Sequence, residues 1–438
     1  MSAVVKMADD GATLQRIRRV FSMGVLANVL SLATNFLIPP LFLKALGADR
    51  YGAWLYLFTM PMSLAMFDLG ISAAFSTEVY RLHALGRLQA AGRTYRTGVK
   101  LIGLLLGVVM ACAMALVAWR HAHQSSSLET LQALLLLCAY VLVGFFSELL
   151  SSAYKCAGRY QVFQGVTMAG KVAEMAAMLA LIPMNNFAWM AAAMLCLKVL
   201  VVCITAVQSS RMAPELTQGS WRGLEPFRHL LLPSLMYAIN PLIMFIALQV
   251  PLLIIGPAAG MAAVVAYTTV RTLARLPLQI SSQISFSLNS EYTRLHADGR
   301  TDLLQKLFDK SLLIIGGLFA LYALGGMVFG PWVYELWLKH LPQGFRLIFA
   351  VLLLEATFES LMRNKLALTS SLNRHSRDTM VQLTLASGSV AVLWFMAQQP
   401  NATLEHMLPP VAAVSILGMF VAVLSARRHF ARHHSADI

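Results

Sequence analysis

Glu78-Val79-Tyr80-Arg81-Leu82-His83-Ala84-Leu85-Gly86-Arg87 and Glu291-Tyr292-Thr293-Arg294-Leu295-His296-Ala297-Asp298-Gly299-Arg300 are two copies of one segment, identical at seven of ten positions at a constant offset of 213 residues. The register holds outside the block, where Gly47 matches Gly260, Trp54 matches Tyr267 and Gly103 matches Gly316. A chain of 438 residues that repeats itself at about half its length is built from two related halves. Both copies sit in apolar surroundings. Hydrophobic residues make up 58% of the chain and charged ones only 12%, with a mean hydropathy of +0.67. A soluble domain carries about 25% charged residues because its surface faces water. Here lipid must be the solvent for most of the outside.

Runs apolar enough to cross the ~30 Å hydrocarbon core as helix fall at 20–43, 51–74, 99–118, 130–152, 161–183, 187–208, 229–256, 261–287, 311–330, 345–369, 379–397 and 407–425. Pro183 with Asn185 and Asn186 supplies the turn that separates the fifth run from the sixth. The run that starts at Val20 is too long for a signal-peptide core, so it is expected as a retained first helix. Six runs separate the two copies of the repeat. Six is even, so the halves have the same orientation, related by an axis along the membrane normal. The expected architecture is an all-α polytopic membrane protein of about twelve spans, in two parallel six-helix lobes around a central cavity. The lobes cover 1–208 and 229–438, joined by a cytoplasmic linker at 209–228 that holds Pro214, Gly219, Gly223 and Pro226.

Charge tests the span count. With both termini cytoplasmic, 25 Lys and Arg residues fall on the cytoplasmic side and 5 on the other, and an incorrect count would scramble that bias. The same bias accounts for the net charge of +14 without a nucleic-acid partner, since no basic stretch is interleaved with exposed aromatics. The five cysteines lie in or beside apolar runs with no CxxC pair and no histidine at metal spacing, so neither a disulfide framework nor a metal or cofactor site is expected.

Three stretches resemble the oligosaccharide (Wzx-type, O-antigen) flippases of the polysaccharide biosynthesis family, in the superfamily that includes lipid II flippases and multidrug (MATE) extruders. They are residues 37–54 (Leu37-Ile-Pro-Pro-Leu-Phe-Leu-Lys-Ala-Leu-Gly47-Ala-Asp-Arg-Tyr51-Gly52-Ala-Trp54), Phe67-Asp68-Leu69-Gly70-Ile71, and Tyr267 to Pro277 with the Glu291–Arg300 segment. The resemblance implies alternating access in an inner (plasma) membrane. The cargo it implies is an undecaprenyl-pyrophosphate-linked oligosaccharide moved from the cytoplasmic to the outer leaflet. It also implies a proton or sodium as coupling ion, contact with a polysaccharide polymerase or export machinery, and no enzymatic step.

Ionisable groups inside the bilayer are costly and default to functional candidates. Thr268, Arg271, Arg275, Gln279 and Ser282 recur at spacings of three and four on the eighth run, which on one continuous helix forms a single face. Two guanidiniums one turn apart suit a pyrophosphate, because each offers paired donors to phosphate oxygens. The offset positions on the second run are Leu55, Phe58, Met62, Met66 and Leu69, so the basic stripe is not a demand of the repeated fold. The alternative is that both arginines snorkel or pair with acids of a neighbouring helix. Substrate-binding candidates are therefore Arg271, Arg275 and Gln279, with Lys198, Lys171 and Asn35 from the first half. Lys198 has the alternative of pairing with Glu148, and Lys171 of neutralising Glu174. Glu355 and Glu174 are candidates for the coupling ion, whereas Glu359 and Arg363, four apart, read as a structural pair. Two other functions compete. A drug/cation antiporter of the same superfamily prefers an acidic cavity. A polytopic glycosyltransferase or polymerase needs a sizeable external loop, and the longest external connections here, 119–129 and 331–344, are short.

Overall fold

The computed structural model describes residues 2–64, 70–123, 127–219, 228–371, 376–400 and 402–434, and every regular element among them is a helix. In chain order these are α1 (Ser2–Met62), α2 (Ile71–Ala84), α3 (Leu88–His123), α4 (Leu128–Cys156), α5 (Tyr160–Leu181), α6 (Phe187–Met212), α7 (Pro214–Thr217) and α8 (Arg228–Leu248). There follow α9 (Val250–Ala259), α10 (Met261–Ala274), α11 (Leu276–Ala297), α12 (Thr301–Leu338), α13 (Phe345–Ser371), α14 (Ser376–Ala397), α15 (Leu404–Met407) and α16 (Pro409–His434). Asp68 and Asn401 lie outside the described residues, as do the side chains of Asn28 and Ser31.

Eight described segments are long and apolar enough to cross a membrane, and they match the third to seventh, ninth, eleventh and twelfth expected runs. The eighth and tenth runs fall on α10–α11 and on α13. The 27 residues of α13 are long enough to span, but Glu355, Glu359 and Arg363 raise its polarity. The first two runs share α1, whose 61 residues would extend for roughly 90 Å at the α-helical rise. Gly47 breaks it, with φ 76° and ψ 172°.

The repeat is visible in the backbone. Gly260, which matches Gly47, has φ 87° and ψ 168° at the start of α10. Gly86 and Gly299 have φ 73° and 69°. Each closes its helix with the same pair of bonds: Gly86 N–H to His83 O and Arg87 N–H to Leu82 O, both 2.9 Å, then Gly299 N–H to His296 O at 3.1 Å and Arg300 N–H to Leu295 O at 2.9 Å. A left-handed residue is needed for this helix ending, and glycine adopts it without the Cβ penalty.

The chain folds as two compact units, one of Met1–Leu46 with Leu57–Pro241, the other of Gly47–Tyr56 with Leu242–Ile438. In the first unit α4 packs along α6 and α2, and the buried core runs from Phe75 and Tyr95 through Leu142 and Tyr154 to Leu216 on α7. Part of the expected linker is therefore folded into this unit. Leu216 is fully buried, and the buried Arg96 of α3 donates to the Leu216 and Gln218 carbonyls at 3.2 and 2.5 Å. In the second unit α13 is the hub, packed against α10, α11, α12, α14 and α16. Residues 47–56 join this unit by close approach, since a Cβ on Gly52 would collide with the Met261 carbonyl. Placing polar groups on the hub helix buries them among five neighbours, which is what builds a site.

Candidate functional site

A recess opens inside the second unit, walled by α8, α9, α10, α13, α14 and α16. Its polar lining is Arg275, Glu355, Glu359, Gln382, Ser389 and Ser415, and the remaining walls are apolar apart from Tyr267. Gln382 and Ser389 stand seven residues apart on α14, two turns of one helical face.

Two helix breaks shape it. The seventh run, expected as one helix, is interrupted at Gln249 because Pro251 has no N–H and its ring crowds the preceding turn. The eighth run is interrupted at Arg275 (φ −93°, ψ 3°) ahead of Pro277. The Leu273 carbonyl, to which Pro277 cannot donate, takes a backbone N–H at the end of α10 and the Tyr322 hydroxyl at 2.9 Å. Freed carbonyls in an apolar medium must find such replacement donors.

The break at Arg275 changes the reading of the stripe. Thr268, Arg271, Arg275, Gln279 and Ser282 are not on one continuous helix, and of the five only Arg275 lines the recess. Thr268 and Ser282 turn their hydroxyls back to the carbonyls of Val264 and Leu278, at 2.6 and 2.7 Å. Gln279 is exposed on α11. Arg271 donates from Nη1 to the Leu248 carbonyl at 2.7 Å, with its guanidinium carbon 5.1 Å from the centre of the Tyr267 ring. Arg275 pairs with Glu359 at 2.7 Å.

Glu359 is shared. Its Oε2 faces Arg275, while Oε1 takes two bonds from Arg363, at 2.6 Å from Nη2 and 3.1 Å from Nε. The carboxylate is thus held by two guanidiniums from opposite sides. Glu355, one turn earlier on α13, reaches the same recess, and among the described residues no cation lies within 4 Å of its carboxylate.

The first unit brings together a different set. Tyr140 of α4 donates its hydroxyl to Glu174 Oε2 of α5 at 2.9 Å, and Lys198 Nζ of α6 sits 5.4 Å from the centre of the Tyr140 ring. Lys198 does not pair with Glu148, whose carboxylate takes Lys155 at 3.0 Å instead. Lys171 and Asn35 are exposed on α5 and α1. Sequence reasoning passed over Tyr140, a phenol inside an apolar run, although such a group needs a partner when buried. It also passed over the α14 pair Gln382 and Ser389, whose seven-residue spacing was available. Among the described residues no group of three or more His, Cys, Asp or Glu side chains is placed to hold a metal.

No protein-family model matches the chain, and no curated protein matches it in sequence. Solved structures do. An inward-facing multidrug resistance MATE family transporter of the MOP superfamily superposes with a TM-score of 0.69 at 14% identity, over 97% of this chain and all of that one. The chain has the MATE transporter fold. A MATE transporter from Vibrio cholerae in its bent form matches at a TM-score of 0.60 and 16% identity, over 96% of this chain and 98% of that one. A MOP superfamily transporter from Pyrococcus furiosus matches at 0.61 and 14%, over 95% and 94%. That protein is described as having a binding pocket of reverse polarity that suggests a different function. The MATE fold is therefore shared across nearly the whole length, with little sequence in common.

Proposed function

We propose that this protein is a membrane transporter that moves an undecaprenyl-pyrophosphate-linked oligosaccharide from the cytoplasmic to the outer leaflet of the inner membrane by alternating access. The observation that carries the reading is the shared carboxylate. Arg275 lies in the wall of the recess, and its partner Glu359 already has a second guanidinium in Arg363. A phosphate oxygen that takes Arg275 leaves Glu359 paired, so exchange strands no charge in a low-dielectric site, where an unpaired charge is prohibitive. Arg271, Arg275 and Arg363 against Glu355 and Glu359 leave one formal positive charge in the cluster, the sign an anionic substrate requires. The solved structures that share the fold are transporters, and the bias of Lys and Arg between the loops supports a cytoplasmic placement of both termini. Glu355 and Glu174 are the carboxylates proposed to take up a proton or sodium, and Lys198, Lys171 and Asn35 remain candidates for the oligosaccharide. A polymerase or export complex is the proposed recipient of the flipped product.

One observation favours a second reading. Glu355 faces the recess with no cation within salt-bridge distance among the described residues, an arrangement that suits the cationic substrate of a drug antiporter.

The two readings separate in a strain that lacks the gene. Trapping of lipid-linked repeat units on the cytoplasmic leaflet, restored by the wild type and not by Arg275→Ala, supports the flippase. Unchanged surface polysaccharide together with new sensitivity to cationic dyes replaces it by the antiporter.

A further inference from the structure

The recess wall on the α8–α9 side is made by Met244, Ala247 and Pro251, residues that flank the break at Gln249. The local hydrogen bonds show what the break leaves open. Gln249 N–H still bonds to Phe245 O at 2.8 Å in helical register. Beyond it the Leu252 N–H goes to Gln249 O at 3.1 Å, one residue short of the Leu248 carbonyl that a continuous helix would give it. Leu253 N–H also goes to Gln249 O, at 3.4 Å. The Leu248 carbonyl is therefore released at the negative end of the α8 dipole, inside a membrane-spanning segment. Arg271 Nη1 takes it at 2.7 Å.

Three further observations bear on this contact. Arg271 does not line the recess, whereas Arg275 does. Among the described residues no carboxylate is within salt-bridge distance of Arg271, and its partners are the Leu248 carbonyl and the Tyr267 side chain. Its guanidinium also lies against Tyr267, one turn earlier on α10, and Tyr267 is itself part of the wall. At the matching place in the first half α1 runs on to Gly47 with Pro39 and Pro40 inside it, and the position that matches Arg271 is Phe58.

We propose that Arg271 is a positioning residue: it supplies the missing donor at the α8–α9 break and, with Tyr267, fixes the wall of the recess without touching the substrate. What the position requires is a hydrogen-bond donor that reaches Leu248 O. A residue that contacts phosphate would require a positive charge. Donor and charge can be varied separately.

The test uses the full-length protein in membrane vesicles, with the five cysteines replaced and Ala247→Cys introduced as a reporter in the wall. The rate of alkylation by a water-soluble maleimide is measured for Arg271→Lys, which keeps donor and charge, Arg271→Gln, which keeps a donor alone, and Arg271→Met, which keeps neither. Lys and Gln are expected within about twofold of the parent, and Met is expected to change the rate by about fivefold or more, as loss of a buried hydrogen bond does. A Met variant that labels like the parent overturns the proposal, as does a Gln variant that behaves like Met while Lys does not. Where the Met variant fails to accumulate, the Gln and Lys rates decide: equal rates uphold the proposal and unequal rates overturn it. The readout needs no substrate, so its outcome is independent of the flippase reading.

Discussion

Removing the charge from Glu359 should destabilise the second unit by an amount that its geometry sets. The carboxylate is 12% exposed and serves Arg275, itself 21% exposed, at 2.7 Å. It also serves Arg363, 37% exposed, at 2.6 Å. Breaking a buried ion pair by neutralising one partner costs about 3–5 kcal/mol, because the other charge stays buried and unpaired. Glutamine keeps one acceptor oxygen, which puts the Arg275 arm near the lower limit, about 3 kcal/mol. The Arg363 arm is half-exposed and is worth no more than about 1 kcal/mol. Glu359→Gln should therefore cost about 3–4 kcal/mol, which for a unit of roughly 200 residues lowers Tm by about 6–15 °C. Thermal unfolding of the purified protein in detergent, followed by tryptophan fluorescence, measures it. Arg275→Met alone should cost less, because Glu359 keeps Arg363. The double variant Glu359→Gln/Arg275→Met should recover most of the loss, since neither buried charge is then stranded. A Tm for Glu359→Gln within about 2 °C of the wild type, or a double variant no better than the single, would refute the reasoning.

The buried pair Lys365–Asp378 joins α13 to α14 at 2.6 Å, so Asp378→Asn is expected to cost about 3–5 kcal/mol in the same melt, with Lys365→Met/Asp378→Leu closer to wild type. Arg96→Ala should release the α7 segment, read as faster tryptic cleavage at Arg211, while Arg96→Lys keeps a donor for the Leu216 and Gln218 carbonyls. Glu355→Gln is expected to abolish the response of transport to an imposed proton or sodium gradient while leaving downhill movement of substrate intact; gradient-driven uptake that persists would remove Glu355 from coupling.

How far the sequence could be read depended on whether a feature was local. Apolar runs and the Glu-x-x-Arg-Leu-His-Ala-x-Gly-Arg repeat depend on neighbouring residues alone, and the structure returns the repeat as matched left-handed glycines with matched closing bonds. The pairing of Glu359 with Arg363 was legible for the same reason, being four residues apart on one helix. The stripe does not lie on one continuous helix, as the i, i+4 rule assumes, because the run is interrupted at Arg275 ahead of Pro277. The partners of Arg271 and Arg275, a carbonyl 23 residues earlier and a carboxylate 84 residues later, follow only once α8, α10 and α13 are packed together. Tyr140 was passed over on the same ground: its value lies in Glu174 and Lys198, which reach it from α5 and α6.

The contrast between the halves then takes a more specific form than a surplus of arginine. Where the first half has Phe58 and Met62, the second has Arg271 and Arg275, and each guanidinium answers a group of the second unit. Arg271 answers the carbonyl exposed by a broken helix, and Arg275 answers a carboxylate on the hub helix. A charge held only by its structural partner cannot serve a substrate without leaving that partner unsatisfied. Arg275 escapes this constraint because Glu359 has Arg363 in reserve, and Arg271 does not escape it because the Leu248 carbonyl, among the described residues, has no other donor. If binding draws on the basic stripe, it should therefore draw on Arg275. Substitutions at Arg275 should act on substrate affinity, and those at Arg271 on the shape of the wall.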